Sequence, residues 1–409
     1  MMNTNLPSIS GMIEALALVS EDKDFLSRQY LTPQHKKVND LVAEWMKLAG
    51  MKAWQDPIGN IVGRYEGHES GLPALMLGSH LDTVVNAGKF DGMLGVATAI
   101  HCVASLQRRG KRLPVALEVI GFADEEGTRF KSTYLGSKAV AGTFDLATLD
   151  RLDTAGISMR KALSSFGLDT ENIPKAARNK NEISAYVELH IEQGPVLEEK
   201  NLAAGIVTEI AGATRFTIEI IGKAGHAGTV PLDLRQDALV TASECIIKIE
   251  ELAKNSPNTV VTVGEISIKP GASNVIPGQT LFTIDLRSAD NDVRRKVENE
   301  LHKALKEICT KRKTKLMTTK THSAESTSCS NNIIKQLEDA FIDCGHPTYF
   351  LPSGAGHDAA AMSDITNTGM IFIRCREGIS HNPAESVEIE DIESGFQIML
   401  KFVENFKPS

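Results

Sequence analysis

The chain has 409 residues and a formal net charge of −8, with 42% hydrophobic and 23% charged residues. This length suffices for two domains with a substantial core, and the composition is that of an ordinary globular protein. The acidic balance and the lack of a long basic run in the sequence argue against nucleic acid as a partner.

The first 20 residues show neither the basic leader nor the apolar run of a signal peptide, and no later stretch is apolar enough to cross a bilayer. Six cysteines are scattered without a Cys-x-x-Cys pair, which favours thiols in a reducing compartment over a disulfide framework. We therefore expect a cytoplasmic protein with no membrane partner.

Strands and helices are predicted to alternate in the first half of the chain. Apolar residues at helical spacing predict a helix over 34–49, ending at Gly50, and a second helix over 95–106. Apolar, β-rich runs predict strands over 74–77, 115–122 and 185–189. This alternation predicts an α/β fold with a mainly parallel sheet and helices on both faces.

From about residue 211 the pattern predicts strands over 215–221, 259–268, 279–286 and 315–319, with helices over 235–254 and 292–311. The order is typical of a ferredoxin-like α+β sandwich. Helices over 331–344 and 389–406 and a strand over 369–374 then resume the first domain. We therefore predict a catalytic domain over 1–211 and 329–409, interrupted by an inserted domain over 212–328.

Three of the predicted strands are followed by ionisable side chains. The first ends at His80, the second leads into Asp124-Glu125-Glu126, and the third ends at His190 and Glu192. In parallel sheets the ligand lies beyond the carboxyl ends of the strands. We therefore expect these groups to meet at one edge of the sheet.

A transition-metal site needs ligands from several elements of the fold. Three imidazoles and two carboxylates are available from His80, Asp91, Glu126, His190 and His381. This mixture suits zinc, manganese, cobalt or nickel better than magnesium or calcium. Taken singly, each residue is also compatible with a turn, a loop or a core position, but their combination at successive strand ends favours a metal site. If Asp91 bridges, five ligands can hold two ions.

Two further acidic residues have candidate roles. Asp82 is either an outer acceptor that fixes the imidazole of His80 or an ordinary turn residue. Glu125 and Glu126 are neighbours whose side chains point apart, so one can bind metal while the other faces the substrate. A carboxylate in that position suits a general base.

Seven sequence blocks between residues 78 and 385 carry a more specific signal: GSHLDTVVNAGKFDGMLGV, ADEEGTRF, ELHIEQGPVLE, GKAGHAGTVPLDLRQDAL, SNVIPGQTLFTIDLRS, SGAGHDA and GISHNPAE. The chain resembles the N-carbamoyl-L-amino-acid hydrolase and allantoate amidohydrolase family of the di-metal aminoacylase/carboxypeptidase superfamily. The resemblance implies a homodimer in which the inserted domain serves as a lid and dimerisation domain.

The resemblance also implies roles for individual residues. It implies that two divalent metal ions are bound by His80, Asp91 as the bridging ligand, Glu126, His190 and His381, with Glu125 as the general base. His190 stands where peptidase relatives carry a carboxylate, and histidine there is characteristic of the ureido-cleaving branch. The implied substrate residues are Gln193, His226, Asn274 and Arg287.

The chemistry of these substrate residues is consistent with the implied roles. Arg287 can hold a carboxylate through two parallel N–H bonds. His226 can donate to a developing oxyanion, and in relatives it comes from the partner subunit. His357 either lines the pocket or caps the helix that follows it.

The expected function is a metal-dependent amidohydrolase that cleaves a linear ureido C–N bond and releases ammonia and carbon dioxide. The substrate is either an N-carbamoyl-L-amino acid or allantoate. Ureidopropionate, ureidoglycolate, and a dipeptidase or deacylase activity on the same scaffold stay open as alternatives. A non-catalytic binding protein is disfavoured, because it has no need of Glu125 beside a complete ligand set.

Overall fold

The computed structural model describes residues 6–408. Residues 1–5, which belong to the first 20 residues considered above for a signal peptide, and residue 409 lie outside the described part of the chain. The chain divides into two compact units. The first unit reaches Thr208 and resumes over Cys329–Leu351 and from Gly356 onward. The second unit comprises Glu209–Ser328 together with the short segment Pro352–Ala355.

The first part of the chain alternates strands and helices. The helices are α1 Ile9–Ala17, α2 Pro33–Leu48, α3 Met93–Arg108, α4 Leu135–Ala141, α5 Met159–Phe166 and α6 Val196–Glu199. The strands are β1 Lys52–Gln55, β2 Ile61–Tyr65, β3 Ala74–His80, β4 Ala116–Phe122, β5 Ile183–Ile191 and β6 Ala204–Ile210. Short 3-10 turns lie at Leu146–Asp150, Thr170–Ala176 and Lys180–Glu182.

The middle of the chain forms the second unit. Its helices are α7 Ala238–Lys254 and α8 Asn291–Lys311, and a 3-10 turn lies at Leu232–Leu234. Its strands are β7 Gly212–Ile221, β8 Gly225–His226, β9 Thr259–Thr262, β10 Ile266–Lys269, β11 Val275–Ile276, β12 Gln279–Ser288, β13 Lys315–Ala324 and β14 Thr327–Ser328. The last part of the chain contains α9 Asn331–Asp343, β15 Phe350–Ser353, α10 Asp358–Met362, β16 Thr368–Ile373 and α11 Ile389–Asn405, with a 3-10 turn at Arg376–Gly378.

The first unit is built on one large sheet with the strand order β1-β2-β4-β3-β5-β16-β6. The central strands β4, β3, β5 and β16 run parallel, whereas β1, β2 and β6 join the sheet antiparallel. Every residue of β3 and β4 is buried, as expected for strands covered on both faces. The predicted α/β fold with a mainly parallel central sheet is confirmed, with antiparallel strands added at its flanks.

Helices cover both faces of this sheet. The main core lies between the sheet and helices α1, α2, α3, α9 and α11, and it includes Val187 and Leu189 of β5. The alternate residues of β5 face the other side, where the backbone N–H of Ala359 in α10 donates to Glu188. Residues 358–362 of α10 contact β5 and β16 on this face.

The second unit pairs its strands in the order β10-β12-β7-β13, with β9 also on β12, and all pairs are antiparallel. Phe216, Ile218 and Ile220 of β7 alternate into a core with α7 and α8, which leaves the residues between them on the opposite face. The single strand predicted over 259–268 is two strands, because residues 263–265 interrupt the pairing with β12.

Two findings concern the chain as a whole. The six cysteines all lie within the described residues, and none of them forms a disulfide. Among residues 6–408, no helix combines the length and apolar character that crossing a bilayer requires.

Candidate metal centre

Neighbouring parallel strands bring the predicted ligands to one edge of the sheet. His80 is the last residue of β3, and His190 is the penultimate residue of β5, which pairs with β3. Glu126 lies in the loop that follows β4, on the other side of β3. Asp91 precedes α3, and His381 follows the 3-10 turn after β16.

Asp91 lies at the centre of the cluster. Its Oδ1 atom is 3.0 Å from Nε2 of His190 and 3.4 Å from Nε2 of His80. Its Oδ2 atom is 3.1 Å from Nε2 of His381, which is in turn 3.5 Å from Oε1 of Glu126. The ligand atoms of His80, Asp91 and His190, and those of Asp91, Glu126 and His381, each lie within 4.8 Å of one another.

This donor set fits two divalent transition-metal ions. Imidazole nitrogens and carboxylate oxygens are the ligands that zinc, manganese, cobalt and nickel accept in proteins. Asp91 belongs to both triads and presents a different oxygen to each, which is the arrangement a bridging carboxylate requires. His80, Asp91 and His190 are buried, so their charges have little access to water.

The electrostatics of the cluster also favour bound cations. Burial raises the pKa of Glu126 to about 7, with the charge of Asp91 adding to the shift. Burial likewise raises the pKa of Glu125 well above its usual range, a shift that His80 opposes. Burial also favours protonation of Asp91, but hydrogen bonds to His190, His381 and His80 hold its pKa well below the usual range. A cation would offset this concentration of buried carboxylates.

The backbone carbonyl of Asp82 lies closer to the imidazole of His80 than the Asp82 carboxylate does. Nδ1 of His80 is 3.0 Å from the carbonyl oxygen of Asp82 but 3.7 Å from its Oδ1 atom. The carboxylate instead accepts from the backbone N–H groups of Glu125, at 3.0 Å, and Glu126, at 3.1 Å. Of the two roles considered for Asp82, the carboxylate makes its hydrogen bonds to the turn of the two glutamates, and it lies within ion-pair distance of the His80 ring.

Three of the eleven described non-glycine residues with positive φ angles lie at or next to this centre. Asp124, Gln193 and His381 have positive φ angles of 56°, 57° and 53°. Non-glycine residues rarely adopt this left-handed region, and they do so mainly where the surrounding structure enforces it. Asp124 begins the turn that carries Glu125 and Glu126, whereas Gln193 and His381 are themselves predicted site residues.

Gln193, Ser380 and Glu385 form a layer around Asp91. Nε2 of Gln193 donates to Oδ2 of Asp91 at 2.9 Å and to Oγ of Ser380 at 3.1 Å. Ser380 donates to Glu385 at 2.8 Å, and Oε1 of Glu385 accepts from the backbone N–H groups of Phe90, at 2.7 Å, and Asp91, at 3.1 Å. Ser380 and Glu385 were not among the predicted site residues, although both lie in the block GISHNPAE.

The ring of His357 packs against His190, and Glu188 is hydrogen-bonded on the same strand. The ring of His357 is buried, with its centroid 4.6 Å from that of His190. Glu188 accepts from Oγ of Ser79 at 2.7 Å and from the backbone N–H of Ala359 at 3.1 Å. Glu192, in contrast, accepts from two N–H groups at the start of α6, so its carboxylate serves a helix terminus.

The remaining predicted substrate residues lie in the second unit. His226 of β8 pairs with Val275 of β11, and the carbonyl of Asn274 accepts from the N–H of Ala227 at 2.9 Å. Val275 is therefore the cross-strand neighbour of His226, and Asn274 lies one position further along, opposite Ala227. Arg287 is part of β12 and forms an ion pair with Asp285 at 2.9 Å.

The chain is similar to curated proteins and to solved structures over most of its length. The sequence is 40% identical to allantoate deiminase 1 of Glycine max, over 95% of this chain and 87% of that protein. It is 38% identical to the N-carbamoyl-L-amino-acid amidohydrolase of Pseudomonas sp. (strain NS671), over 96% of both chains. The fold matches the crystal structure of an amidase of the hydantoinase/carbamoylase family from Burkholderia multivorans with a TM-score of 0.91 and 30% identity, covering 97% of this chain and 96% of that one.

The profile of Peptidase family M20/M25/M40 matches residues 76–405, a range that includes all the predicted metal ligands. The resemblance inferred from the seven sequence blocks is thereby confirmed. The chain belongs to Peptidase family M20/M25/M40.

Proposed function

We propose that this protein is an amidohydrolase that cleaves the ureido C–N bond of an N-carbamoyl-L-amino acid or of allantoate, releasing ammonia and carbon dioxide. The observation that carries the proposal is the buried carboxylate of Glu125 beside the ligand set centred on Asp91. Relatives named for each of the two substrates cover nearly the whole chain. The family assignment makes a hydrolase of C–N bonds the consistent interpretation of this geometry.

The proposed cofactor is a pair of divalent ions, zinc, manganese, cobalt or nickel, held by His80, Asp91, Glu126, His190 and His381. When bound, the ions would supply Lewis acidity to the ureido carbonyl and to the hydrolytic water. Gln193 and the Ser380–Glu385 pair keep the Asp91 carboxylate in place through the hydrogen bonds described above. The ring of His357 limits the movement of His190.

Glu125 is the proposed general base. It takes a proton from the attacking water and returns it to the departing nitrogen, so one carboxylate serves both halves of the reaction. Asp82 binds the N–H groups of both glutamates and fixes the turn from which Glu125 projects. These two hydrogen bonds hold the backbone of the turn in place, which favours a constant position of the base relative to the substrate.

The second unit would contribute substrate contacts. Arg287 is the proposed partner of the substrate carboxylate, Asn274 and Gln193 are proposed to bind the ureido arm, and His226 is proposed to donate to the oxyanion. The pairing of β8 with β11 holds the segments that carry His226 and Asn274 next to each other. Histidine at position 190 favours ureido substrates over the dipeptides and N-acyl amino acids of the alternative function. Ureidopropionate and ureidoglycolate share the same bond chemistry and belong in the same assay.

A lid and a homodimer are also proposed. The second unit, Glu209–Ser328 with Pro352–Ala355, is a compact body of its own, which is compatible with a lid. Leu232 and Leu234, which follow His226 in the chain, are 81% and 69% exposed, as residues of a subunit interface would be in a single chain. Sedimentation velocity at micromolar concentration should show a dimer, and a monomer would contradict this part of the proposal.

The Glu125→Gln variant tests the proposed function. We expect ammonia release to fall by about 10²- to 10⁴-fold, the usual contribution of a general base. Metal content, measured by plasma mass spectrometry, should stay at the wild-type value, because a glutamine side chain has nearly the same shape as the glutamate it replaces. Unchanged ammonia release in a metal-loaded variant would remove Glu125 from the reaction.

A further inference from the structure

We propose that Asp285 is a positioning residue for the reaction, fixing the guanidinium of Arg287 in the orientation that receives the substrate's carboxylate. Arg215 is the second guanidinium bound to Asp285 and shares this task. The inference rests on the proposed function, in which Arg287 binds the carboxylate, and it adds the two residues that hold Arg287 in place.

The strand register brings the three side chains together. Asp285 and Arg287 are two residues apart on β12 and therefore lie on the same face of the sheet. Arg215 of β7 is the direct cross-strand partner of Asp285. This face is opposite the one that packs Phe216 and Ile284 against α7 and α8. The register alone therefore places one carboxylate between two guanidinium groups.

The contacts fix the plane of the Arg287 guanidinium. Its Nε atom donates to Oδ1 of Asp285 at 3.0 Å, and its Nη2 atom donates to Oδ2 at 2.9 Å, so the pairing is bidentate. Its Nη1 atom donates to the carbonyl oxygen of Gly354 at 2.8 Å. Nε of Arg215 donates to the same Oδ2 atom of Asp285 at 3.0 Å, which holds the carboxylate from its other side.

The surroundings argue that this arrangement serves ligand binding as well as the sheet. Arg215, Asp285 and Arg287 line a cavity of about 680 Å³, together with Thr262, Thr283 and Gly354. That volume lies within the usual range of pockets for small molecules. The three charged groups are therefore accessible to a small molecule, and partly exposed ion pairs contribute little to stability by themselves.

A guanidinium that is already ordered improves substrate binding, because the entropy cost of ordering the arginine side chain is not incurred during binding. A free arginine loses rotamer freedom when it binds a carboxylate, and this loss weakens affinity. Asp285 and Gly354 impose that order in advance. Removal of the Asp285 charge should therefore weaken recognition of the carboxylate while leaving the chemistry at the ureido group unchanged.

The test compares Asp285→Asn with the wild-type enzyme on two matched compounds. The first is allantoate or N-carbamoyl-L-alanine, whichever the metal-loaded wild type turns over faster, and the second is its carboxamide. We expect KM for the carboxylate compound to rise by about 10- to 100-fold in the variant, with kcat within about 2-fold. The value of kcat/KM for the carboxamide should stay within about 2-fold, which also shows that the variant is folded.

Arg215→Gln provides the companion variant. It leaves the bidentate contact between Asp285 and Arg287 intact, so its KM for the carboxylate compound should rise less than in Asp285→Asn. Equal KM values in the wild type and Asp285→Asn would overturn the positioning role. An equal loss on both compounds would also overturn it, because a purely structural role would affect them alike.

A separate result distinguishes failure of the underlying assignment. If the wild type hydrolysed the carboxamide as efficiently as the carboxylate, Arg287 would not be a carboxylate site and the positioning role would fall with it. Ammonia release from the carboxylate compound would in that case still support the hydrolase itself.

Discussion

Glu385 determines where Asp91 lies, although it is not among the proposed metal ligands. Its carboxylate binds the N–H of Asp91 directly, and it also holds Ser380, whose Oγ atom is 3.4 Å from Oδ2 of Asp91. Residues of this kind orient metal ligands and change affinity without touching the ion.

Glu385→Gln should therefore weaken metal binding. The amide cannot match the charge of the carboxylate toward the two N–H groups, so we expect affinity to fall by about 10- to 100-fold. Competition with a chelator, followed by metal analysis, measures the change without relying on turnover. Glu390→Gln is the control, because Glu390 is exposed on α11. Equal affinities of Glu385→Gln and the wild type would contradict the role.

The ligands could be predicted from the sequence because each follows a recognisable strand or turn. His80, Glu126 and His190 come at the ends of apolar runs, and parallel pairing then brings them together. The role of Glu385 could not be predicted, since its partners Phe90 and Asp91 lie almost 300 positions earlier in the chain (separations of 295 and 294). The role of the Asp82 carboxylate was equally hidden, because it depends on the path of the turn after β4.

At the scale of elements, the N-terminus of α3 is fitted closely to the metal centre. Gly92 has a φ angle of +70°, and a Cβ atom at this position would lie 2.6 Å from ring atoms of His80. The side chain of His80 is buried, so it could not move away from the added Cβ atom without displacing its neighbours. The residue that caps the start of α3 therefore has no side chain, and Asp91 comes immediately before it.

Gly92→Ala should both destabilise the protein and weaken metal binding. Gly92 has φ 70° and ψ −51°, outside the left-handed helical region, and the substitution would also displace His80, so the loss should exceed the roughly 1 kcal/mol of a left-handed helical residue. Gly110→Ala is the matched control, because Gly110 has φ +61° with no atom within 4 Å of its Cβ position. Urea denaturation and chelator competition report the two effects. Similar behaviour of the two variants would contradict the close fit.

The positions of the central strands were predicted better than the parallel or antiparallel directions of the sheet as a whole. Fully buried runs such as β3 and β4 predict parallel strands, and these form the centre of the sheet. The antiparallel flanks β1, β2 and β6 were not predicted, because the directions of these strands depend on non-local pairing. Helices such as α8 were placed within a residue or two, since their periodicity and caps are local signals.

For the molecule as a whole, a buried histidine distant from the metal centre links stability to pH. His35 of α2 accepts from the N–H of Leu31 at 3.0 Å, and its ring stacks on Phe166 at 4.9 Å. Burial lowers its pKa to about 3, and the charge of Arg28 adds to the shift. Between pH 6.5 and 3 the unfolded chain therefore binds a proton that the folded chain excludes, so stability falls as the pH decreases.

His35→Gln removes this titration while keeping a hydrogen-bond acceptor. The wild type should lose about 2 kcal/mol more than the variant between about pH 7.5 and about pH 5. Denaturation of the metal-free proteins, followed by tryptophan fluorescence, measures the difference. Both tryptophans, Trp45 and Trp54, lie in the first unit, which also contains His35. Parallel pH profiles of the two proteins would contradict the assignment.

Ammonia release by the manganese-loaded protein tests the central claim most directly. Allantoate and a panel of N-carbamoyl-L-amino acids would be compared with dipeptides and N-acetyl amino acids under the same conditions. We predict rapid ammonia release from allantoate or from at least one carbamoyl amino acid, and no hydrolysis of the dipeptides or acetyl compounds. Metal-loaded protein that released no ammonia from any ureido compound, or that cleaved dipeptides instead, would contradict the account.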